Sequence, residues 1–275
     1  MNLPLQVLME YDKTMRSEPY LRVSEQVKKV VRPLLHGGDE YHRGHEARLA
    51  RTIQLIVDLN PKGRLLEIGT TGVIPYALKQ LLPDLEVVVT HFDKSRPTDA
   101  KVQWTVNGEK FKLRTLAIDL ENESIPVDDG FFDVVLCGEV IEHMEIDPMY
   151  MLGEVNRVTK DSGKLVVTTP NVLSSRGLNK IINGIEPYFY MQYHKTRELH
   201  RHNYEYTVPS LAAMLKAAGF LGRIWTEDLF EDGISSAVDK LRLAGVNVTN
   251  VGDNILAVVE KTGPVKDRHP VGFYV

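Results

Sequence analysis

Short apolar runs alternate with amphipathic stretches along most of the chain. Continuous apolar runs of roughly four to eight residues, bounded by glycine, proline or aspartate, are typical of buried strands. Apolar residues spaced three or four positions apart are typical of helices. On this basis the sequence predicts seven strands, over residues 64–68, 85–91, 111–118, 131–137, 163–169, 221–225 and 254–261.

Helical spacing fills most of the intervals between these strands. The predicted helices cover residues 24–35, 45–59, 72–82, 147–159 and 208–219. Because strands alternate with helices, the sequence predicts an α/β fold with a Rossmann-like, doubly wound and mostly parallel sheet. We expect residues 1–60 to form an N-terminal helical cap and residues 61–275 the main domain. A polar and aromatic insertion, residues 172–206, follows the fifth strand.

Titratable side chains gather directly after the fourth predicted strand, where Glu139, Glu142 and His143 follow one another closely. If a helical turn begins near Glu139, positions i, i+3 and i+4 share one face. Two carboxylates and an imidazole at one spot could abstract a proton, bind a hard divalent cation, or do both. This segment therefore favours an enzyme.

Composition narrows the functional class only a little. The 275 residues are 43% hydrophobic and 25% charged, which is ordinary globular usage. A net charge of −4 provides no overall basic field for nucleic acid or anionic lipid, and no apolar run reaches membrane-spanning length. The single cysteine, Cys137, excludes an intrachain disulfide and favours a reducing compartment. We therefore expect a cytoplasmic protein without a membrane partner.

Several motifs follow one another at the ends of the predicted strands. The first is Leu66-Glu67-Ile68-Gly69, with Thr70 and Thr71 before Gly72; Asp93 follows the second strand, and Asp119-Leu120 follows the third. Residues 125–136 and 154–171 complete the series. Their order, over roughly residues 62–262, resembles that of the class I S-adenosylmethionine-dependent methyltransferases.

The resemblance implies S-adenosylmethionine as cofactor and a set of contacts to it. Glu67, Gly69 and Gly72 would lie beside its methionine moiety, because a backbone without side chains permits close approach. Asp93 would bind the ribose, and the Asp119-Leu120 pair would recognise the adenine. From the residues alone other interpretations stay open: the glycine turn could be only a turn, and either aspartate could be a cap or a loop residue.

The segment Glu139-Val-Ile-Glu142-His143 resembles the metal-binding motif of two family branches. These are the ubiquinone-biosynthesis O-methyltransferases and the small-RNA terminal 2′-O-methyltransferases. The second branch adds a downstream histidine motif similar to residues 200–207, which makes His202 a candidate fourth ligand although Arg201 replaces an aspartate. The resemblance thus implies Mg²⁺ on Glu139, Glu142, His143 and His202, and an oxygen acceptor. Catalysis by His143 as a base, with Glu142 beside it and no metal, is the competing interpretation.

The insertion supplies candidate acceptor-binding residues: Tyr188, Tyr190, Tyr193 and His194. Aromatic faces mixed with hydrogen-bond donors stack on sugar rings or bases, although a lid packed on the sheet is the alternative. We expect O-methylation of a carbohydrate or a similar small polyhydroxylated acceptor. RNA is disfavoured because the chain has no extended basic tract. A non-catalytic subunit with the methyltransferase fold remains a third hypothesis, and a homodimer is left open.

Overall fold

A computed structural model gives the structure of the protein over residues 22–36, 44–92, 98–189, 191, 193, 201–229, 236–246 and 248–274. Three of the predicted site residues, Asp93, Tyr190 and His194, lie outside these described residues. All the other predicted site residues lie within them.

Helices and strands alternate along the described chain, as the hydrophobic pattern predicts. The helices are α1 Glu25–His36, α2 Glu46–Leu59, α3 Val73–Leu81, α4 Pro148–Val158, α5 Ser175–Ile182, α6 Val208–Ala217 and α7 Ser236–Leu243. The strands are β1 Arg64–Ile68, β2 Glu86–His91, β3 Asp99–Val106, β4 Glu109–Ala117, β5 Phe132–Gly138, β6 Thr159–Pro170, β7 Phe220–Glu227 and β8 Asn254–Lys261. None of these helices is long and apolar enough to cross a membrane.

The strands form one sheet in the order β3-β4-β2-β1-β5-β6-β8-β7. The five central strands from β4 to β6 are parallel to one another. Strand β3 runs antiparallel to β4, and β8 runs antiparallel to both β6 and β7. The predicted doubly wound, mostly parallel sheet is therefore confirmed, but the predicted strand number is wrong: the sheet has eight strands rather than seven.

The additional strand, β3, forms a hairpin with β4 at one edge of the sheet. The two strands are joined at Asn107 and Gly108, which both have positive φ, +48° and +81°. An Asn-Gly pair suits this conformation because both residues tolerate the left-handed region. The hairpin pairs Trp104, on β3, with Phe111 near the start of β4, and the Trp104 ring lies 5.6 Å from that of His91 at the end of β2.

Consecutive residues of the central strands pack on opposite faces of the sheet. In β1, Leu65 belongs to a core formed with α1, α2 and α3, whereas Leu66 belongs to a core formed with α4 and α6. Both side chains are fully buried, and such burial stabilises the fold by about 1.5–3 kcal/mol per residue. The described part of the predicted N-terminal cap, α1 and α2, is thus one layer of the main core.

Candidate active site at the tips of β1 and β5

The carboxyl ends of the parallel strands meet at one edge of the sheet. Gly69 follows β1, and Glu139 and Val140 follow β5, the strand beside it. The two tips touch: a Cβ added at Gly69 would lie 2.7 Å from the Val140 side chain. The loop that resembles a cofactor site and the titratable segment therefore adjoin. Crevices of this kind are the usual ligand sites of open α/β sheets.

The loop after β1 is closed by hydroxyl groups as well as by glycine. Gly69 and Gly72 have φ of +68° and +89°, which favour glycine. The amide of Gly69 donates to the Thr90 hydroxyl at 3.0 Å, and that of Gly72 donates to the Thr70 hydroxyl at 2.9 Å. Buried Thr70 thus closes the turn that leads into α3. The first turn of this helix offers backbone N–H groups to a polar ligand.

Glu67 lies in β1, two residues before this loop, and is 4% exposed. Burial raises the pKa of its carboxyl to about 8, although a hydrogen bond with Thr70 opposes the shift. One of its oxygens, Oε2, has no hydrogen-bond partner among the described residues. A buried carboxyl with an unpaired oxygen is a natural partner for a positively charged or N–H-bearing ligand group.

Glu67 is expected to make the protein less stable as the pH rises. Between its usual pKa of 4.5 and about 8, the unfolded chain has released this proton while the folded chain retains it. The free energy of unfolding should therefore fall by up to about 1.4 kcal/mol per pH unit in that window. Urea denaturation at pH 5, 6.5 and 8 measures the slope, which Glu67→Gln should reduce. The control Glu86→Gln, at an exposed carboxylate on β2, should leave it unchanged; equal slopes in all three proteins would contradict the assignment.

Asp119 and Leu120, after β4, lie at the same edge of the sheet. The Asp119 carboxylate accepts a hydrogen bond from the Glu121 amide at 3.1 Å and another from Asn122 at 2.9 Å. The Asp119 amide donates to Glu123 at 2.7 Å, and Leu120 is buried. These contacts match the capping alternative for Asp119. Adenine recognition by the Asp119-Leu120 pair stays a prediction.

Trp104 lies beside the glycine loop, and the sequence did not predict this position. Its ring lies 5.6 Å from that of His91 at the end of β2, and a Cβ on Gly72 would lie 3.2 Å from it. The indole N–H donates to Thr115 at 3.1 Å, which fixes the ring. The β3–β4 hairpin therefore places an aromatic face next to the glycine loop.

The Glu139 carboxylate is bound by residues outside its own segment. It has φ of +55°, a left-handed conformation that costs about 1–2 kcal/mol for a residue with a Cβ. The helical turn therefore begins at Ile141, as a short 3₁₀ helix ending at His143, and not at Glu139. The Glu139 carboxylate accepts from Asn254 at 2.9 Å and lies 3.6 Å from the Arg48 guanidinium on α2.

Three of the four predicted metal ligands do come together. Glu142, His143 and His202 offer ligand atoms that all lie within 4.8 Å of one another, and Glu139 is not part of this group. Glu142 is fully buried, and its Oε2 accepts a hydrogen bond from Thr169 at 3.0 Å. Its Oε1 has no hydrogen-bond partner in the described ranges and lies 3.9 Å from Nε2 of His143. We call these three residues the Glu-His-His group.

Both histidines of the Glu-His-His group are fixed through Nδ1. This atom of His143 lies 2.9 Å from the Arg201 carbonyl, and that of His202 lies 2.8 Å from the Glu205 carboxylate. Because both oxygens only accept, Nδ1 carries the hydrogen in each ring and the lone pair of the neutral imidazole is on Nε2. Metal-ligating histidines are commonly oriented in this way. Glu205 was not among the residues predicted from the sequence, although its spacing three residues after His202 was a signal.

Several neighbouring groups shift the pKa of the Glu142 carboxyl. Burial raises the pKa of its carboxyl well above the usual value, and the nearby charge of Glu139 raises it further. The Thr169 hydrogen bond and the Arg48 charge act in the opposite direction. Strongly shifted carboxyls of this kind concentrate at functional sites.

The insertion contributes two of its four predicted acceptor residues to the described structure. Tyr193 is 94% exposed, and the Arg201 guanidinium lies over its ring at 5.3 Å from the centroid. The Arg201 carbonyl in turn holds His143, so Arg201 contacts both Tyr193 and a member of the Glu-His-His group. Tyr188 is 45% exposed, and its carbonyl accepts a hydrogen bond from Lys180 on α5 at 3.0 Å.

Comparison with known proteins identifies the family. A family model described as a methyltransferase domain matches residues 41–221. Over 63 residues the chain is 36% identical to MJ0638, an uncharacterized protein of Methanocaldococcus jannaschii; the match covers 23% of this chain and 27% of that protein.

Solved structures show the same fold at low sequence identity. A SAM-dependent methyltransferase from Archaeoglobus fulgidus is 18% identical, with a TM-score of 0.51; the likeness covers 79% of this chain and 94% of that one. A Thermotoga maritima SAM-dependent methyltransferase, described as a possible histamine N-methyltransferase, is 17% identical with a TM-score of 0.52. That likeness covers 86% of this chain and all of the other.

The family match spans more than half of the chain. It includes the glycine loop, Glu67 and the whole Glu-His-His group. The likeness to a solved SAM-dependent methyltransferase at a TM-score of 0.51 shows a shared fold. The chain therefore belongs to the methyltransferase-domain family and has the class I fold of S-adenosylmethionine-dependent methyltransferases.

Proposed function

We propose that this protein transfers the methyl group of S-adenosylmethionine to an oxygen atom of a small hydroxylated acceptor, with a carbohydrate as the favoured class. One observation carries the proposal: the segment after β5 that supplies Glu142 and His143 to the Glu-His-His group adjoins, through Val140, the glycine loop at the tip of β1. The cofactor would lie along Glu67, Gly69 and Gly72. The hydroxyl would then meet the methyl group beside His143.

Methyl transfer from a sulfonium needs a nucleophile held in line with the methyl group, which is largely a matter of orientation. A hydroxyl acceptor must also lose its proton as the new bond forms. The Nδ1 of His143 donates to the Arg201 carbonyl, so Nε2 of the neutral ring is the proton-accepting atom. This ring is 24% exposed, which leaves it within reach of an acceptor.

The Glu-His-His group also fits a divalent cation, but not the ion expected from the sequence. The unpaired Oε1 of Glu142 and two anchored imidazoles form a set of one oxygen and two nitrogen donors. Magnesium prefers oxygen ligands, whereas imidazole suits first-row transition ions. We therefore propose Mn²⁺ or a similar ion in place of Mg²⁺. When bound, such an ion would lower the pKa of the acceptor hydroxyl and orient it.

Terminal 2′-O-methylation of RNA is the second candidate. It is favoured by the position of His202, which joins the Glu-His-His group although Arg201 replaces the aspartate of that branch. Arg201 over Tyr193 also offers a surface on which a base could stack. The net charge of −4 argues against an extended RNA contact, so a free sugar remains the first choice.

An acceptor screen with methyl-labelled S-adenosylmethionine tests this function. Sugars, phenols, short RNAs and histamine should be compared in EDTA and after addition of Mg²⁺ or Mn²⁺. We expect label on a hydroxylated acceptor, strong loss in EDTA, and better recovery with Mn²⁺ than with Mg²⁺ at equal concentration.

Each departure from this result has a defined meaning. Label on histamine alone would overturn O-methylation. Full activity after thorough chelation would exclude an essential ion and leave His143 as a base. Cofactor binding without transfer to any acceptor would favour the non-catalytic subunit.

A further inference from the structure

Glu205 is a buried carboxylate that the methyl-transfer proposal does not use. It is 7% exposed and lies three residues after His202. Its Oε1 accepts two hydrogen bonds, from Nδ1 of His202 at 2.8 Å and from the backbone amide of Phe189 at 2.8 Å. Its Oε2 has no hydrogen-bond partner within the part of the chain that the structure describes.

We propose that Glu205 is a positioning residue that sets the affinity of the Glu-His-His group for a divalent transition-metal ion. The inference rests on the metal site of the proposed function. A carboxylate acceptor at Nδ1 fixes the ring of His202 and places its lone pair on Nε2. It also makes that nitrogen more basic, and hence a stronger ligand.

Comparison with another buried carboxylate separates this role from a purely structural ion pair. Glu227 is also 7% exposed, but both of its oxygens accept from Arg51, at 2.8 and 2.9 Å, and Oε1 also accepts from Trp225 at 2.7 Å. Glu205 accepts hydrogen bonds from one imidazole and one backbone amide, and its other oxygen is unpaired among the described residues. A buried carboxylate placed only for stability would be left with a desolvation cost here. Its hydrogen bond to Nδ1 of His202 is the contact that orients a metal-ligating histidine.

Glu205 also connects the metal group to the insertion. The Phe189 amide follows Tyr188, one of the proposed acceptor residues, and the same carboxylate oxygen holds this amide and His202. Phe189 packs beneath the cations of Arg176 and Lys180, at 5.7 and 4.8 Å from its ring. The carboxylate therefore fixes the distance between His202 and the backbone next to Tyr188.

The test is titration calorimetry of the full chain with MnCl₂, for the wild type, Glu205→Ala and Glu205→Gln. Loss of such an outer partner weakens metal binding by about 10–100-fold, so we expect this increase in Kd for the alanine variant. Glutamine retains the acceptor oxygen without the charge, so its Kd should lie between the two. S-adenosylmethionine affinity is measured in parallel and should change little, whereas Tm should fall, because two buried donors lose their acceptor.

Glu154→Ala is the matched control. This carboxylate on α4 also accepts a backbone amide, that of Ile125 at 2.8 Å, and pairs with Arg157, but it lies outside the Glu-His-His group. Its removal should lower stability and leave the Kd for Mn²⁺ unchanged.

The possible failures are distinguishable. A wild-type Kd in Glu205→Ala, or in Glu205→Gln where the alanine variant does not fold, would overturn the positioning role and leave the proposed function standing. Parallel loss of Mn²⁺ binding, cofactor binding and the melting transition in both variants would show a structural role instead. If the wild type binds no Mn²⁺, this inference falls together with the metal site, whereas methyl transfer in EDTA would still support the methyltransferase.

Discussion

Replacing His143 with alanine is expected to lower kcat for methyl transfer by about 10²–10⁴-fold, the usual contribution of a general base. The ring is held by the Arg201 carbonyl, and its Nε2 lies 3.9 Å from the unpaired oxygen of Glu142. Both proposed roles, base and metal ligand, need that nitrogen. The glycine loop does not depend on it, so affinity for S-adenosylmethionine should stay within about two-fold, a change below 0.5 kcal/mol.

Steady-state kinetics with the acceptor found in the screen, and calorimetry with the cofactor, measure these two quantities. His269→Ala is the control, because this exposed histidine near the C-terminus contacts the Tyr274 ring and not the Glu-His-His group. Calorimetry with MnCl₂ then separates the roles: loss of Mn²⁺ binding identifies a ligand, and retained binding identifies a base. A loss of kcat below about ten-fold would place the chemistry elsewhere.

The sequence predicted the centre of the sheet because its strands are covered on both faces. Residues such as Leu65 and Leu66 in β1 are both buried, so the strand appears as a continuous apolar run. The same pattern identifies β2, β5 and the central part of β6. Their order along the chain, with helices between them, is enough to predict a doubly wound sheet.

The edge of the sheet was harder to predict, because β3 is exposed along most of its length. Its residues alternate between exposed and half-buried positions, and only Val106 is buried. The Asn107-Gly108 pair between two alternating segments was a usable hairpin signal. This signal predicts the pairing of Trp104 with Phe111, whereas the approach of Trp104 to Gly72 depends on the tertiary fold.

At the site, the sequence predicted which residues take part better than it predicted where their side chains point. Glu142, His143 and His202 meet as the motif resemblance implied, across a separation of about sixty residues that only the fold can close. Glu139 does not join them because its left-handed backbone turns it toward Asn254 and Arg48. A positive φ at a glutamate has no sequence signature, so this contact could not be predicted.

The glycine loop contains two threonines, Thr70 and Thr71, between its glycines. The Thr70 hydroxyl accepts from the Gly72 amide and stabilises the turn. Gly69 and Gly72 keep the two positive φ values that a side chain would oppose. In this loop, the backbone conformations that favour glycine thus occur at these two residues.

Gly69→Ala is expected to weaken S-adenosylmethionine binding by at least about ten-fold, equivalent to 1.4 kcal/mol. An alanine at this φ costs about 1–2 kcal/mol of strain, and its Cβ would lie 2.7 Å from the Val140 side chain. The loop or the tip of β5 must shift to relieve this contact, and both border the proposed cofactor site. Calorimetry with the cofactor measures the affinity, and urea denaturation measures the accompanying loss of stability.

Gly108→Ala separates the effect of strain from that of the loop. Gly108 has a similar φ of +81°, but a Cβ there meets nothing within 4 Å, in the turn of the β3–β4 hairpin. It should lose about 1–2 kcal/mol of stability and keep the wild-type cofactor affinity. Adding Val140→Ala to Gly69→Ala removes the clash, so the double variant should recover part of the lost cofactor affinity, while the loss of Val140 packing lowers its stability. Equal cofactor affinities in the Gly69 and Gly108 variants would mean that S-adenosylmethionine does not bind along this loop.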